Sequence, residues 1–199
     1  MAAYIFDDLL LKGIRAGQIP GRTAESRVWF RDRAKASTIT DSKLMREANK
    51  ERLKNKNVVG KMQFFFYDPK HKKSLPYYDS FPLIFKVGPA KAGFYGLNMH
   101  YLPLKPRAAL MDALYDLTTN KKFDQNTKLK LSYDILSSAS KFKWFKPAFK
   151  HYLNKHVRSR FLAIESSEWD IALFLPVAQW NKANQRKVWA DSRKIANKK

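Results

Sequence analysis

A chain of 199 residues with 39 Lys/Arg against 17 Asp/Glu carries a formal charge of +22. Self-repulsion on that scale calls for a polyanionic partner: nucleic acid, an anionic membrane surface or an acidic protein. At 45% hydrophobic and 14% aromatic it can bury the core of one domain or two small ones, and the absence of cysteine excludes disulfides, thiolate nucleophiles and cysteine-ligated zinc.

No apolar run approaches the roughly 18 residues a membrane span needs. Asp7 and Asp8 stand where a signal peptide would carry cations. The expectation is a soluble protein, made in a cytoplasm, with no membrane partner.

Tyr4–Ile14 has the spacing of a short amphipathic helix, with Ile5, Phe6, Leu9 and Leu10 on its apolar side and Gly13 or Gly17 at its end. Such a side can dock a partner or pack on its own domain. Its small size and the basic stretch after Gly17 favour docking on another protein or copy. Gln18–Ser37 is basic and irregular, with Arg22, Arg27, Arg31, Arg33 and Lys35 around Trp29 and Phe30, and Thr23 placed to cap a helix. Lys43–Lys56 has a second helical pattern in which only Leu44, Met45, Ala48 and Leu53 are apolar. Residues 1–57 therefore read as an extended basic N-terminal arm with short helices.

From Val58 to Leu104 the pattern changes. Val-Val-Gly-Lys-Met-Gln-Phe-Phe-Phe-Tyr is rich in β-favouring residues, and a polar turn from Asp68 to Ser74 follows. Tyr77 to Val87 and Phe94 to Leu102 are apolar again, broken at Gly88, Pro89 and Gly93. These lengths and breaks fit a small antiparallel β-sheet or barrel, with Pro76 and Pro82 at strand starts, bulges or edges.

Pro106 suits the first turn of a helix with Leu110, Met111, Leu114 and Leu117 as its buried stripe. Thr127 can cap the next, which has Leu129, Tyr133 and Leu136 on one face. Phe145, Phe149 and Tyr152 keep helical spacing, with Pro147 in a first turn. Phe161–Ile164 and Trp169–Leu175 read as two more strands, and the remainder is helical or frayed. The fold class is α+β. A β core over about 58–104, joined by strands near 161–175, carries packed helices and the N-terminal arm. The divisions are 1–57 (arm), 58–185 (core domain) and 186–199 (basic tail).

The densest basic signal is Lys141–Arg160, where Lys141, Lys143, Lys146, Lys150, Lys155, Arg158 and Arg160 occur without a single acid. Phe142, Trp144, Phe145, Phe149 and Tyr152 are interleaved. Cations that neutralise phosphates and rings that can meet bases are the ingredients of a nucleic-acid surface. The helical spacing of Phe145, Phe149 and Tyr152 suits a core, whereas the cations read as phosphate contacts. Lys70, Lys72 and Lys73 on a turn form a second basic site, and Arg27, Arg31 and Arg33 a third. The tail, with Arg186, Lys187, Arg193, Lys194, Lys198 and Lys199, is a fourth. Asp68-Pro69-Lys70 matches one piece of a metal-dependent nuclease site, but the acid that should precede it is not evident. His71, His100, His151 and His156 lack zinc-cluster spacing. No P-loop, dinucleotide or nucleophile-elbow motif occurs. No catalytic residue, metal or cofactor is expected.

Three stretches together resemble a known family. They are Phe66–Lys70 with Leu75–Leu83; Gly93–Pro103; and Glu168–Pro176 with Val188–Ser192. They resemble the DNA end protector-like virion proteins of T-even-type tailed phages, over most of residues 58–192. The resemblance implies a protein at the end of the phage genome that shields it from host exonuclease and helps close the head. It maps no binding residue. The expected function is non-specific binding of double-stranded DNA through its backbone, in a virion component made in the host cytoplasm, with phage head, portal or tail proteins as neighbours. A structural connector of portal, neck or tail without a DNA role is the rival, and a metal-dependent nuclease the third reading.

Overall fold

The structure, a computed structural model, describes residues 5–19, 23–38, 43–44, 52–118, 121–122, 124–139, 142–177 and 180–197. Six short strands form one antiparallel sheet in the order β1-β7-β2-β4-β5-β6. These are β1 Leu53–Lys54, β2 Met62–Phe64, β4 Leu83–Ala90, β5 Gly93–Asn98, β6 Phe149–Leu153 and β7 Phe161–Ile164. β3 (Tyr78–Asp79) and β8 (Trp180–Asn181) pair apart from it as a two-stranded ribbon. The sheet is open, with β1 and β6 at its edges, so of the two expected forms it is the sheet and not the barrel.

Period-two alternation sorts the sheet side chains. Met62, Phe64, Leu83, Phe85, Leu97, Leu162 and Ile164 join the main core with the helices. Phe65, Tyr67, Ile84, Phe94, Tyr152 and Phe161 close a smaller aromatic cluster. Phe65 is central to it, with ring centroids 5.3 Å from Tyr152 and 5.2 Å from Phe161.

The helices are α1 Ile5–Arg15, α2 Ala24–Lys35, α3 Leu104–Thr118, α4 Gln125–Ala139, α5 Trp169–Phe174 and α6 Gln185–Asn197. At the end of α1, Gly17 takes φ +72° while its N–H bonds Ile14 O and the Gln18 N–H bonds Gly13 O. That paired closure needs the left-handed conformation glycine supplies. Thr23 caps α2 as expected, its side chain accepting from the Ser26 N–H at 3.1 Å. Asp124, not Thr127, caps α4: it accepts the Thr127 N–H at 2.8 Å.

Four expectations are corrected. The N-terminal arm lies on its own core: Phe6 and Leu9 are buried there, Leu10 packs against it, and only Leu11 and Ile14 face outward. The side chain of Ile5 lies outside the described residues. A Cβ on Gly13 would come within 2.3 Å of the Phe30 ring, so the α1–α2 contact depends on that glycine. Second, Lys43–Lys56 is not one helix. Residues 43 and 44 are helical with Leu44 buried, residues 45–51 lie outside the described set, and Leu53–Lys54 is β1.

Third, Trp169–Phe174 is a helix whose six residues are all buried, where a strand was expected. A short, fully buried apolar run has no periodicity to separate the two. The deciding signal is local: Glu165 and Glu168 form a reciprocal capping box just before it. Fourth, Phe149 and Tyr152 are on a strand. Pro147 sits in a 3-10 turn, Lys146–Ala148, and β6 follows and pairs with β5. The partner strand makes this possible, because a Cβ on Gly93 would stand 1.9 Å from Tyr152 O. Of the two readings of the chain's end, helical or frayed, the described residues show the helix, with Val188, Ser192 and Ala196 of α6 buried; residues 198–199 lie outside the description.

Candidate nucleic-acid interface

Two populations of the described cations stand apart. In the first, Arg27, Arg31 and Arg52 are paired with acids; the exposed Arg186, Lys187, Arg193 and Lys194 of α6 belong to neither. Arg31 Nε lies 2.6 Å from Asp170 Oδ1 and its Nη2 2.6 Å from Asp112 Oδ1. Arg27 reaches Asp112 at 3.1 Å and Asp116 at 3.7 Å, and Arg52 bonds Glu168. Burial holds the carboxyls of Asp170 and Glu168 above their ordinary values, and the arginines oppose that shift. Arg27 and Arg31 are thus withdrawn from the residues expected to meet phosphate. Of that basic patch Arg33 remains exposed, stacked 5.4 Å from the Trp29 ring.

The second population lies around β6. Lys143, Lys146, Lys155 and Arg160 are exposed. Arg158 is about half exposed, 3.5 Å from Asp68. Lys70 and Lys73 are exposed on the turn. Lys72 instead binds Asp68 at 2.9 Å, and its hydrogen bond holds that carboxyl below the ordinary range. Lys141 lies outside the described residues. Asp68 and Lys70, the nuclease fragment, therefore stand in a salt-bridged turn. Among the described residues no group of three His, Asp or Glu is placed to hold a metal.

Beside β6 opens a cavity of about 550 Å³. Its polar floor is built by three elements. Asp79, on β3, accepts from the Phe81 N–H at 3.0 Å and from Asn98 Nδ2 at 3.0 Å, and lies 2.8 Å from His100 Nδ1. Asn98 Nδ2 is also 3.0 Å from the Tyr152 hydroxyl. The His100 carbonyl accepts from Trp189 Nε1 on α6 at 3.0 Å, which ties this floor to the C-terminal helix. Tyr67, Tyr77, Tyr101 and Tyr152 supply aromatic walls. Burial drives the Tyr101 and Tyr152 phenols far above their ordinary values, so both remain protonated donors.

Lys150, on β6, places its ammonium 3.9 Å from the centre of the Tyr101 ring. Burial alone lowers it to about 8. No carboxylate or carbonyl among the described residues accepts from it. Lys70, His71 and His151 are exposed along the same cavity.

Ser192 of α6 separates this cavity from a second one of about 360 Å³, lined by Trp144, Trp189, Lys105 and Arg193. Phe142 and Trp144 are 61% and 47% exposed, too much for core residues, with Lys143 Nζ 6.0 Å from the Trp144 ring. The interleaved aromatics thus divide: Tyr152 is core, Phe145 and Phe149 are half-buried, and Phe142 and Trp144 face solvent. The buried polar floor went unforeseen. Its visible trace is the pair Asp79 and Asn98-Met99-His100, polar side chains set in otherwise apolar strands.

Fold and surface together define a small, strongly basic α+β protein that pairs Arg27, Arg31 and Arg52 with acids and presents cations around the edge strand β6 beside aromatic cavities. The chain belongs to the family described as phage T4 terminal DNA protecting protein, whose model matches residues 18–198. That span adds α2 to the region of resemblance seen in the sequence, and the description speaks of protecting DNA, not of catalysis. No curated protein and no solved structure matches the chain.

Proposed function

We propose that the protein binds double-stranded DNA through its backbone at the end of a phage genome and shields that end from exonuclease, as a component of the virion made in the host cytoplasm. One observation carries this reading. The chain has a charge of +22, and while two of its buried carboxylates, Asp170 and Glu168, serve Arg31 and Arg52, Lys143, Lys146, Lys155 and Arg160 stand exposed on one stretch. Such cations contact phosphates without reading bases, and each phosphate neutralised contributes about 0.9 to the log–log salt slope.

The test is a salt titration of linear duplex. Lys143→Gln, Lys146→Gln, Lys155→Gln and Arg160→Gln together should lower the slope by roughly 3 to 4. Arg33→Gln with Lys35→Gln on α2 should leave it nearly unchanged. Linear duplex should also resist exonuclease when protein is bound. Equal losses from both sets of substitutions would sink the assignment of the face.

The connector reading keeps one specific support. Leu11 and Ile14 on α1 and Val28 on α2 are 52%, 62% and 52% exposed. These apolar side chains suit contact with a head, portal or tail protein, and both roles are compatible because the patch is on α1 and α2 and the cations flank β6.

A further inference from the structure

A partnerless cation facing a roomy cavity is unusual. Removing an ammonium from water is costly unless an anion or hydrogen-bond acceptors replace the lost hydration. Lys150 has only the face of Tyr101 in this role. The exposed Lys70, His71 and His151 line the same cavity, and the carboxylates beside it, Asp68 and Asp191, are engaged by Lys72 and Arg158 and by the Tyr77 hydroxyl. The one lining carboxylate, Asp79, is already engaged by Phe81 N–H, Asn98 and His100.

Size and walls narrow the ligand. About 550 Å³ falls in the range of small-molecule sites, roughly 300–1,000 Å³, and holds one nucleotide rather than a duplex. Tyr77, half-buried on the cavity wall, presents a flat face on which any base stacks, whereas Tyr101 is buried beneath Lys150. A duplex interior cannot enter such a cavity without flipping a base out of its stack, at a cost of about a few kcal/mol. A strand terminus can enter with less disruption. A terminal phosphomonoester also carries about −1.5 to −2 charge, more than an internal diester, and so compensates a desolvated ammonium better.

We infer that the cavity between β6, β3 and α6 receives the terminal nucleotide of a DNA strand, its phosphomonoester on Lys150 and its base against Tyr77. This inference rests on the end-binding reading above and supplies its recognition element. Asp79 keeps the phosphate off the polar floor, directing it towards Lys150 and the exposed Lys70.

The experiment titrates the full chain with deoxyadenosine 5′-monophosphate, deoxyadenosine 3′-monophosphate and deoxyadenosine, followed by calorimetry. Saturable binding of at least one monophosphate, at least about tenfold tighter than the nucleoside, is expected. The tighter isomer identifies which strand end is held, and equal binding means the site accepts either. Lys150→Gln and, separately, Tyr77→Ala should each weaken nucleotide binding by about tenfold or more, while closed circular duplex still binds within about twofold. No saturable nucleotide binding by the unaltered protein overturns the inference whether or not the variants fold. So does an affinity that Lys150→Gln leaves unchanged. Exonuclease protection separates the two levels: protection of linear duplex that survives in folded Lys150→Gln refutes the cavity and keeps end binding, whereas no protection by the unaltered protein refutes end binding itself.

Discussion

Arg31→Met separates an arginine that builds the fold from one that meets DNA. Methionine keeps most of the aliphatic stem, so packing changes little. What disappears is the fork that joins Asp170 and Asp112 at 2.6 Å each, and the guanidinium 5.4 Å from the Phe174 ring. Asp170 is buried at 2% exposure and is left without its counter-charge. Breaking a buried pair from one side costs about 3–5 kcal/mol, which for a chain of this size is roughly 6–20 °C in Tm.

The loss should depend on pH. Burial already holds the Asp170 carboxyl above its unfolded value. The folded form therefore favours the protonated acid, and the associated stability is present at low pH and is lost as pH rises through the folded value. Without Arg31 that value rises further, so the deficit should grow between acid and neutral pH. Urea unfolding at acid and at neutral pH measures it, and a DNA titration at low temperature should give an affinity within about twofold of the parent. A stability change below about 1 kcal/mol, or a loss of DNA affinity matching that of the Lys143 group of substitutions, would refute the structural role.

Gly93→Ala should detach β6 from β5, because the new methyl meets the Tyr152 backbone oxygen at 1.9 Å; stability and nucleotide binding should fall together, and an unchanged Tm would show that the strands do not meet as described. Lys150→Met should stabilise the free protein by on the order of 1–2 kcal/mol at neutral pH, since burial lowers this lysine to about 8 and the charged form is disfavoured in the fold. The gain should shrink between about pH 8 and 10.5, where the folded parent has lost the proton and the unfolded chain keeps it; a variant less stable at pH 7 would contradict this. Labelled duplex incubated with the protein and Mg²⁺ or Mn²⁺ should stay intact, and cleavage that vanishes in Asp68→Ala would restore the nuclease reading.

The parts of this fold legible in the sequence are those set by neighbours along the chain. Alternation between Met62 and Asn98 marks strands, Thr23 marks a helix start, and Pro106 sits within the first turn of α3. The parts that were misread depend on residues far away. Phe149 and Tyr152 are three apart, compatible with a helix, and only Gly93 and Gly96 across the sheet make room for them as a strand. Arg31 looks like any basic residue until Asp170, 139 positions later, is placed against it. For the candidate site, the exposed lysines were visible as a run without acids. The cavity was not, because Asp79, Asn98, Lys150 and Ser192 come from four separate elements.

The lysines of β6 admit a simpler explanation, and how far it extends decides what else they do. An edge strand offers unpaired backbone groups, and proteins protect such edges with charge and proline. Pro147 before β6, with Lys146 and Lys155 exposed at its two ends, fits that purpose entirely. Lys150 does not. A lysine that guards an edge works from solvent, where its charge is cheap to keep, whereas Lys150 is largely buried, turned onto Tyr101, and lowered to about 8 by its surroundings. The acids that could have relieved it are held across the fold by Arg27, Arg31 and Arg52. At physiological salt, charges more than about 8 Å apart through solvent are largely screened, so those acids do little to offset the β6 face. The flanking lysines are accounted for by edge protection and phosphate contact alike. Edge protection does not account for Lys150, whereas an anion entering the cavity would, which is why it is the residue on which the two explanations part.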